Sequence, residues 1–130
     1  MIPTLQNILY VEDDADIRQV TLLALELIGG LSVKACASGA EAGAADNDFR
    51  PDLLLLDVMM PEMDGPTTLA HLRRDQRFSA VPAMFFTAKV RPEEVARLQE
   101  LGAIGVIGKP FDPQTLVEEL RRKWDAHHGG

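Results

Sequence analysis

The sequence predicts an α/β domain with five parallel strands in the order 2-1-3-4-5 and helices on both faces, a doubly wound (βα)5 arrangement. Three observations carry this. Apolar, strand-like runs alternate five times with segments of helical periodicity, and βα repeats with short loops wind a parallel sheet through right-handed crossovers. Leu53-Leu54-Leu55-Leu56 is apolar without alternation, as in a strand covered on both faces. Pro51 before that run and Pro61 after it leave too little length for a helix.

The elements follow in order. The first strand is Asn7–Val11, and Ile17, Val20, Ala24 and Leu27 then recur at helical spacing until Gly29-Gly30 stops the helix. The second strand, Leu31–Ala37, holds Cys36 as a small core residue. It is the only cysteine, so no intrachain disulfide can form, and a reducing compartment fits. Ser38 and Glu41 have capping-box spacing. Leu53–Asp57 is the third strand, and Asp64-Gly65-Pro66 opens a helix carrying Leu69 and Leu72. Val81–Thr87 is the fourth, and Arg91-Pro92 opens a helix carrying Val95 and Leu98, closed by Gly102. Gly105–Gly108 is the fifth. Asp112-Pro113 then sets a capping acid before a proline whose missing N–H costs nothing at the first helical position. The last helix buries Leu116, Val117, Leu120 and Trp124, and its basic run Arg121-Arg122-Lys123 lies near the end where the dipole favours positive charge. One domain over residues 1–126 is expected, with a frayed tail over 127–130.

A chain of 130 residues fits one domain and buries about two-thirds of its unfolded surface, so it needs no disulfide or structural metal to fold. The net charge of −7 argues against binding nucleic acid phosphates, which requires basic patches. No basic n-region precedes an apolar run at the start, and no apolar stretch approaches the roughly 20 residues of a membrane span. A cytoplasmic domain without membrane insertion is the expectation.

Ligands of open parallel sheets bind beyond the carboxyl ends of the strands, where the strand order reverses. The first strand ends in Glu12-Asp13-Asp14, the third in Asp57 and the fourth in Thr87, and the fifth runs into Lys109. Asp14 reads as a helix cap. Taken singly, Glu12 and Asp13 read as solvated acids, Thr87 as a β-branched strand end and Lys109 as a surface lysine. Asp57 differs, because it ends four leucines and must be at least partly buried, which demands a cation or a shifted pKa. Converging acids repel unless a cation sits between them. Hard oxygen ligands with few protein groups suit Mg²⁺, which binds one or two carboxylates plus phosphate oxygens. Lys109 and the Thr87 hydroxyl can hold phosphoryl oxygens, and a carboxylate nucleophile is known from aspartyl-phosphate chemistry.

At these residues the chain resembles the response-regulator receiver domain (CheY-like) of two-component signalling. The matching stretches are residues 8–14, 51–65 and 108–111 together with Phe86-Thr87-Ala88; they lie in order on the right strands and span nearly the whole chain. The resemblance implies that Asp57 accepts a phosphoryl group from a histidine kinase or histidine phosphotransfer protein. It implies Mg²⁺, with Mn²⁺ as a substitute, held by Asp13, Asp57, the Met59 backbone carbonyl and, mainly through water, Glu12. Lys109 would pair with the phosphoryl group beside a cis bond to Pro110, Thr87 would be the switch hydroxyl, and Ala88 would leave room for phosphoryl entry. Slow hydrolysis of the acyl phosphate would make the domain a timed switch that catalyses its own phosphorylation and dephosphorylation, not a metabolic enzyme.

Two departures stand out. Glu12 replaces the commoner aspartate, and Val106 occupies the position that often carries an aromatic switch residue. Met59 and Lys89 flank the site and are expected to tune the lifetime of the phosphorylated state. A flavodoxin-like cofactor binder of the same topology would need N–H groups for phosphate after the first strand, where this chain has acids. A related phosphatase would need a second acid at position 59, and no phosphate-cradling Gly-Lys-Ser/Thr motif is present. The histidines His71, His127 and His128 lie away from the strand ends. The rival reading is a receiver-like interaction module without phosphoryl turnover. The chain is read as stand-alone or as a piece of a longer regulator or hybrid kinase, and as a monomer or weak dimer. By analogy with the family, its expected target face is the fourth helix, fifth strand and fifth helix, with Arg91, Val95, Leu98, Gln99, Val106 and Phe111 as candidates, of which Val95, Leu98 and Phe111 fit the core equally well.

Overall fold

The computed structural model describes residues 2–45 and 48–129. Strands β1 (Asn7–Val11), β2 (Ser32–Cys36), β3 (Leu53–Asp57), β4 (Ala83–Thr87) and β5 (Ala103–Gly108) form one parallel sheet in the order β2-β1-β3-β4-β5. The expected topology is therefore present. The second strand is shorter than its apolar run, the fourth begins after Val81-Pro82, and the fifth begins two residues earlier than expected.

The four consecutive leucines are fully buried, and the two-residue period of a strand divides them between two cores. Leu53 and Leu55 join Ile8, Tyr10, Met84, Phe86 and Ile107 on one face. Leu54 and Leu56 join Leu9, Val11, Ala83 and Phe85 on the other. Helix α1 (Ala15–Leu23) with the π-helical turn that continues it, and α5 (Leu116–Gly129), cover the first face through Ala24 and Leu25 of the turn and Leu116, Val117, Leu120 and Trp124 of α5. Helices α2 (Gly39–Gly43), α3 (Gly65–Leu72) and α4 (Pro92–Glu100) cover the second with Ala42, Leu69, Leu72 and Leu98. Each buried leucine contributes about 1.5–3 kcal/mol relative to exposure, which opposes the chain entropy of a small domain.

Asp14 caps α1 by accepting from the N–H groups of Asp16 (2.9 Å) and Ile17 (3.0 Å). The helix runs on into a π-helical turn, Ala24–Ile28, and ends where Gly30 takes a φ of +66° and Leu31 N–H reaches the Leu25 carbonyl. The expected spacing gives the helix but not its buried face. Thr21, Ala24 and Leu25 point inward, whereas Val20 and Leu27 are exposed. Polar Asp16, Arg18, Gln19 and Thr21 are interspersed with apolar side chains around α1, so periodicity offers little contrast, and the π turn rotates the last residues relative to an α-helix.

Ser38 accepts from Glu41 N–H (3.1 Å), while the Glu41 carboxylate reaches the Ala37 N–H (3.1 Å), a capping box shifted by one residue. Pro92 opens α4, and Gly102 at φ +106° ends it as expected. Asp112-Pro113 corrects the expectation for α5: Asp112 accepts from Gln114 N–H and shapes a turn, and the helix begins at Leu116. The expected frayed tail is helical through Gly129. The His128 ring lies 4.0 Å from that of Trp124, and its Nδ1 is 2.9 Å from the Trp124 carbonyl. Gly130 lies outside the described residues.

Candidate functional site

The strand register assembles the site. Val11 pairs with Leu56, Asp57 with Phe86, and Thr87 with Gly108. The residues that follow or end these strands, Glu12, Asp57, Thr87 and Lys109, thus meet on one carboxyl edge beside the point where strand order reverses. Glu12 extends the ladder through its N–H to the Cys36 carbonyl (3.0 Å), and Lys109 does so through its N–H to the Thr87 carbonyl (2.8 Å). The Lys109–Pro110 bond is cis, as expected.

Lys109 Nζ donates to Glu12 Oε1 at 2.5 Å and to Asp57 Oδ1 at 2.8 Å. Both acids are buried, Glu12 at 1% and Asp57 at 4% exposure, so the solvated-acid reading of Glu12 is corrected. One ammonium between two buried carboxylates leaves one negative charge unbalanced. Burial pushes the Glu12 carboxyl up to about 7; the hydrogen bond from Lys109 opposes this and Asp57 reinforces it. Burial alone would lower Lys109, but its bonds to Asp57 and Glu12 outweigh that and hold the ammonium above the usual lysine range.

Asp13 is exposed at the rim, and one oxygen from each of Glu12, Asp13 and Asp57 falls within 4.8 Å of the others. Two buried oxygen donors and a third at the exposed rim fit a divalent cation that keeps part of its water shell, which is the chemistry of Mg²⁺. Met59 and Ala88 line the same cleft of about 280 Å³, with Asp14 and Ile17. Thr87 is buried, and its hydroxyl oxygen accepts from Lys89 N–H at 3.0 Å.

Gly65 presses on the backbone of Asp57. A Cβ at position 65 would overlap the Asp57 carbonyl, and Gly65 N–H donates to the Val58 carbonyl at 3.0 Å. Asp64 caps α3 by accepting from Thr67 N–H at 2.8 Å. Arg18, which the sequence reading did not single out, donates to the Glu12 carbonyl at 2.8 Å and ties α1 to the acidic strand end. Its signal was only a cation one and a half turns beyond the acids. Cys36 is buried, and burial raises its thiol to about 11, so it is a core residue.

The expected target face is partly corrected. Val95, Gln99 and Val106 line a groove of about 360 Å³ between α4 and α5, and Arg91 is exposed at the start of α4. Leu98 is fully buried in the core, and Phe111 stacks on Phe86 (5.1 Å) over the opposite face of the sheet. Phe111 instead walls an apolar pocket of about 440 Å³, with Ile17, Val20, Ala88, Lys109 and Pro110, directly beside the acidic cleft.

The family model of the response regulator receiver domain matches residues 8–121. The phosphate regulon transcriptional regulatory protein PhoB of Pseudomonas aeruginosa is 36% identical over 116 residues, covering 89% of this chain and 50% of that protein. The DNA-binding response regulator MtrA of Mycobacterium tuberculosis is 39% identical over 119 residues, covering 91% and 50%. The chain thus spans about half the length of the curated relatives it matches. Among solved structures, the chemotaxis response regulator CheY4 of Vibrio cholerae superposes with a TM-score of 0.81 at 32% identity, over 92% of this chain and 99% of that one. Among the described residues, no helix is long and apolar enough to cross a membrane.

Proposed function

The chain belongs to the response-regulator receiver family, and from that premise we propose that Asp57 accepts a phosphoryl group from a phosphohistidine of a histidine kinase or phosphotransfer protein. The observation that carries this is the Lys109 fork between Asp57 and Glu12, beside a third acid at one strand edge. Glu12, Asp13, Asp57 and the Met59 carbonyl would hold Mg²⁺, or Mn²⁺ in its place, which when bound supplies positive charge toward the phosphoryl oxygens.

An Asp57 carboxylate oxygen attacks phosphorus; the O–P bond forms as the P–N bond breaks, and the departing electron pair stays on the imidazole nitrogen. Lys109 turns its ammonium toward a phosphoryl oxygen, and the Thr87 hydroxyl gives up its contact with Lys89 N–H to meet another. Ala88 adds no bulk at the entrance. Attack of water on the acyl phosphate returns Asp57 and ends the signal. The groove with Val95, Gln99 and Val106, with Arg91 near it, is the surface offered to a downstream protein. With Val106 in place of an aromatic, backbone shifts of β4 and α4 carry the message there.

The test is intact mass after incubation with Mg²⁺ and acetyl phosphate or phosphoramidate. Wild type gains one phosphoryl group and Asp57→Asn gains none. No gain in the wild type, or an equal gain in the variant, refutes the acceptor role and leaves an interaction module without turnover.

A further inference from the structure

Arg18 belongs to α1 but spends its hydrogen bonds on the backbone of the acidic strand end. Its Nη1 donates to the Glu12 carbonyl at 2.8 Å and to the Asp13 carbonyl at 3.4 Å. Its own backbone N–H donates to the Asp14 carbonyl at 2.9 Å. One half-buried residue thus gathers the carbonyls of three successive acids. Even so, Arg18 forms no ion pair among the described residues. It brings positive charge to the acids without occupying a carboxylate.

The stretch that Arg18 holds sends its side chains in different directions. Glu12 turns inward to Lys109 at 1% exposure, Asp13 stands exposed at the rim, and Asp14 turns back to cap α1. Like charges on neighbouring residues repel, and β1 ends at Val11, so past Glu12 N–H the sheet no longer holds the chain. Lys109 secures Glu12 and Asp57, and its ion pairs do not include Asp13. We propose that Arg18 is a positioning residue, which clamps the Glu12 and Asp13 carbonyls and so aims the Asp13 carboxylate at the cluster it forms with Glu12 and Asp57. This deepens the reading of that cluster as a Mg²⁺ site and rests on it. An arginine suits the task because its guanidinium stays charged and is weakly hydrated, whereas a lysine ammonium is a flexible point charge that would turn to a carboxylate and compete with the ion.

The sign of the effect separates positioning from charge. Removing a cation beside acids strengthens their attraction for Mg²⁺, whereas loosening the groups that aim a ligand weakens metal binding, typically by tenfold or more. Calorimetric titration with Mg²⁺ alone, of wild type, Arg18→Met and Arg18→Lys, reads this sign. Amide hydrogen exchange in EDTA, followed residue by residue, reads the clamp without any metal. Arg18→Met binds Mg²⁺ about tenfold more weakly than wild type, and Arg18→Lys, which keeps the charge, is also weaker. In EDTA the Glu12 and Asp14 amides of Arg18→Met exchange about tenfold faster, while those of β3 keep their rates. Either variant binding Mg²⁺ as tightly as wild type, or more tightly, overturns the proposal. Unchanged exchange at Glu12 and Asp14 overturns it as well, and so does faster exchange throughout the sheet, which would mark a general loss of stability. A wild type that binds no Mg²⁺ refutes the metal reading itself, and the exchange rates alone then decide whether Arg18 positions the acids.

Discussion

Glu12 makes the metal-free domain lose stability as pH rises toward neutrality. Its carboxyl stands at about 7 in the folded protein against 4.5 when free, because burial beside Asp57 outweighs the Lys109 ammonium. For an acid raised on folding, the folded state holds the proton that the unfolded state has released, so stability falls between the two values. The difference of about 2.5, at about 1.4 kcal/mol for each pH unit, amounts to about 3 kcal/mol. The loss begins near pH 4.5 and is complete just above pH 7. Urea denaturation in EDTA at closely spaced pH values measures it. Glu12→Gln, which keeps the shape and removes the charge, flattens the profile over that window. Mg²⁺ restores stability at pH 8 in the wild type by screening the carboxylates. A wild-type profile that is flat or rises between pH 5 and 7, or a Glu12→Gln profile with the same slope, refutes the placement of Glu12 as a buried, incompletely neutralised acid.

Other perturbations follow from single contacts. Lys109→Met strips the cation from two buried carboxylates and lowers stability in EDTA at pH 8 by about 3–5 kcal/mol, read by urea denaturation. Gly65→Ala forces a methyl group into the Asp57 carbonyl and costs about 1–3 kcal/mol, read as a lowered melting temperature, with slower phosphorylation of Asp57 by acetyl phosphate. Asp64→Ala loses the α3 cap and costs about 1 kcal/mol in the same melt, without altering mass gain at saturating acetyl phosphate. Leu55→Ala opens a cavity between sheet and helices and costs about 2–5 kcal/mol.

How much of this was legible in the sequence depends on contrast. Leu53–Leu56 between prolines announces a two-faced strand, and once the parallel order is expected, Glu12, Asp57, Thr87 and Lys109 must share an edge. The burial of Glu12 was not legible, because it depends on the Cys36 carbonyl taking its N–H and on Lys109 arriving from a distant strand. The inward face of α1 was obscured for a different reason, since polar and apolar residues are interspersed around it, its inward Thr21 is polar, and a π turn shifts its phase. Phe111 follows Lys109 and Pro110 closely in sequence, yet only the packed structure reveals that it turns toward Phe86 rather than the α4 side. Leu98 stood open between the target face and the core, and its position on the inner stripe of α4 sends it to the core.

The contact of Gly65 with Asp57 divides the molecule mechanically. On one side of Asp57, backbone presses on backbone, Gly65 N–H holds the Val58 carbonyl, and Asp64 pins the first turn of α3. On the other side, the Thr87 side chain holds the start of the next loop by one hydrogen bond, from Lys89 N–H. A disturbance at Asp57 therefore meets a stiff abutment toward α3 and a light latch toward α4. Under the proposed function, strain introduced at the acidic edge would escape by the latch, and this asymmetry would give the response a direction before any partner is present.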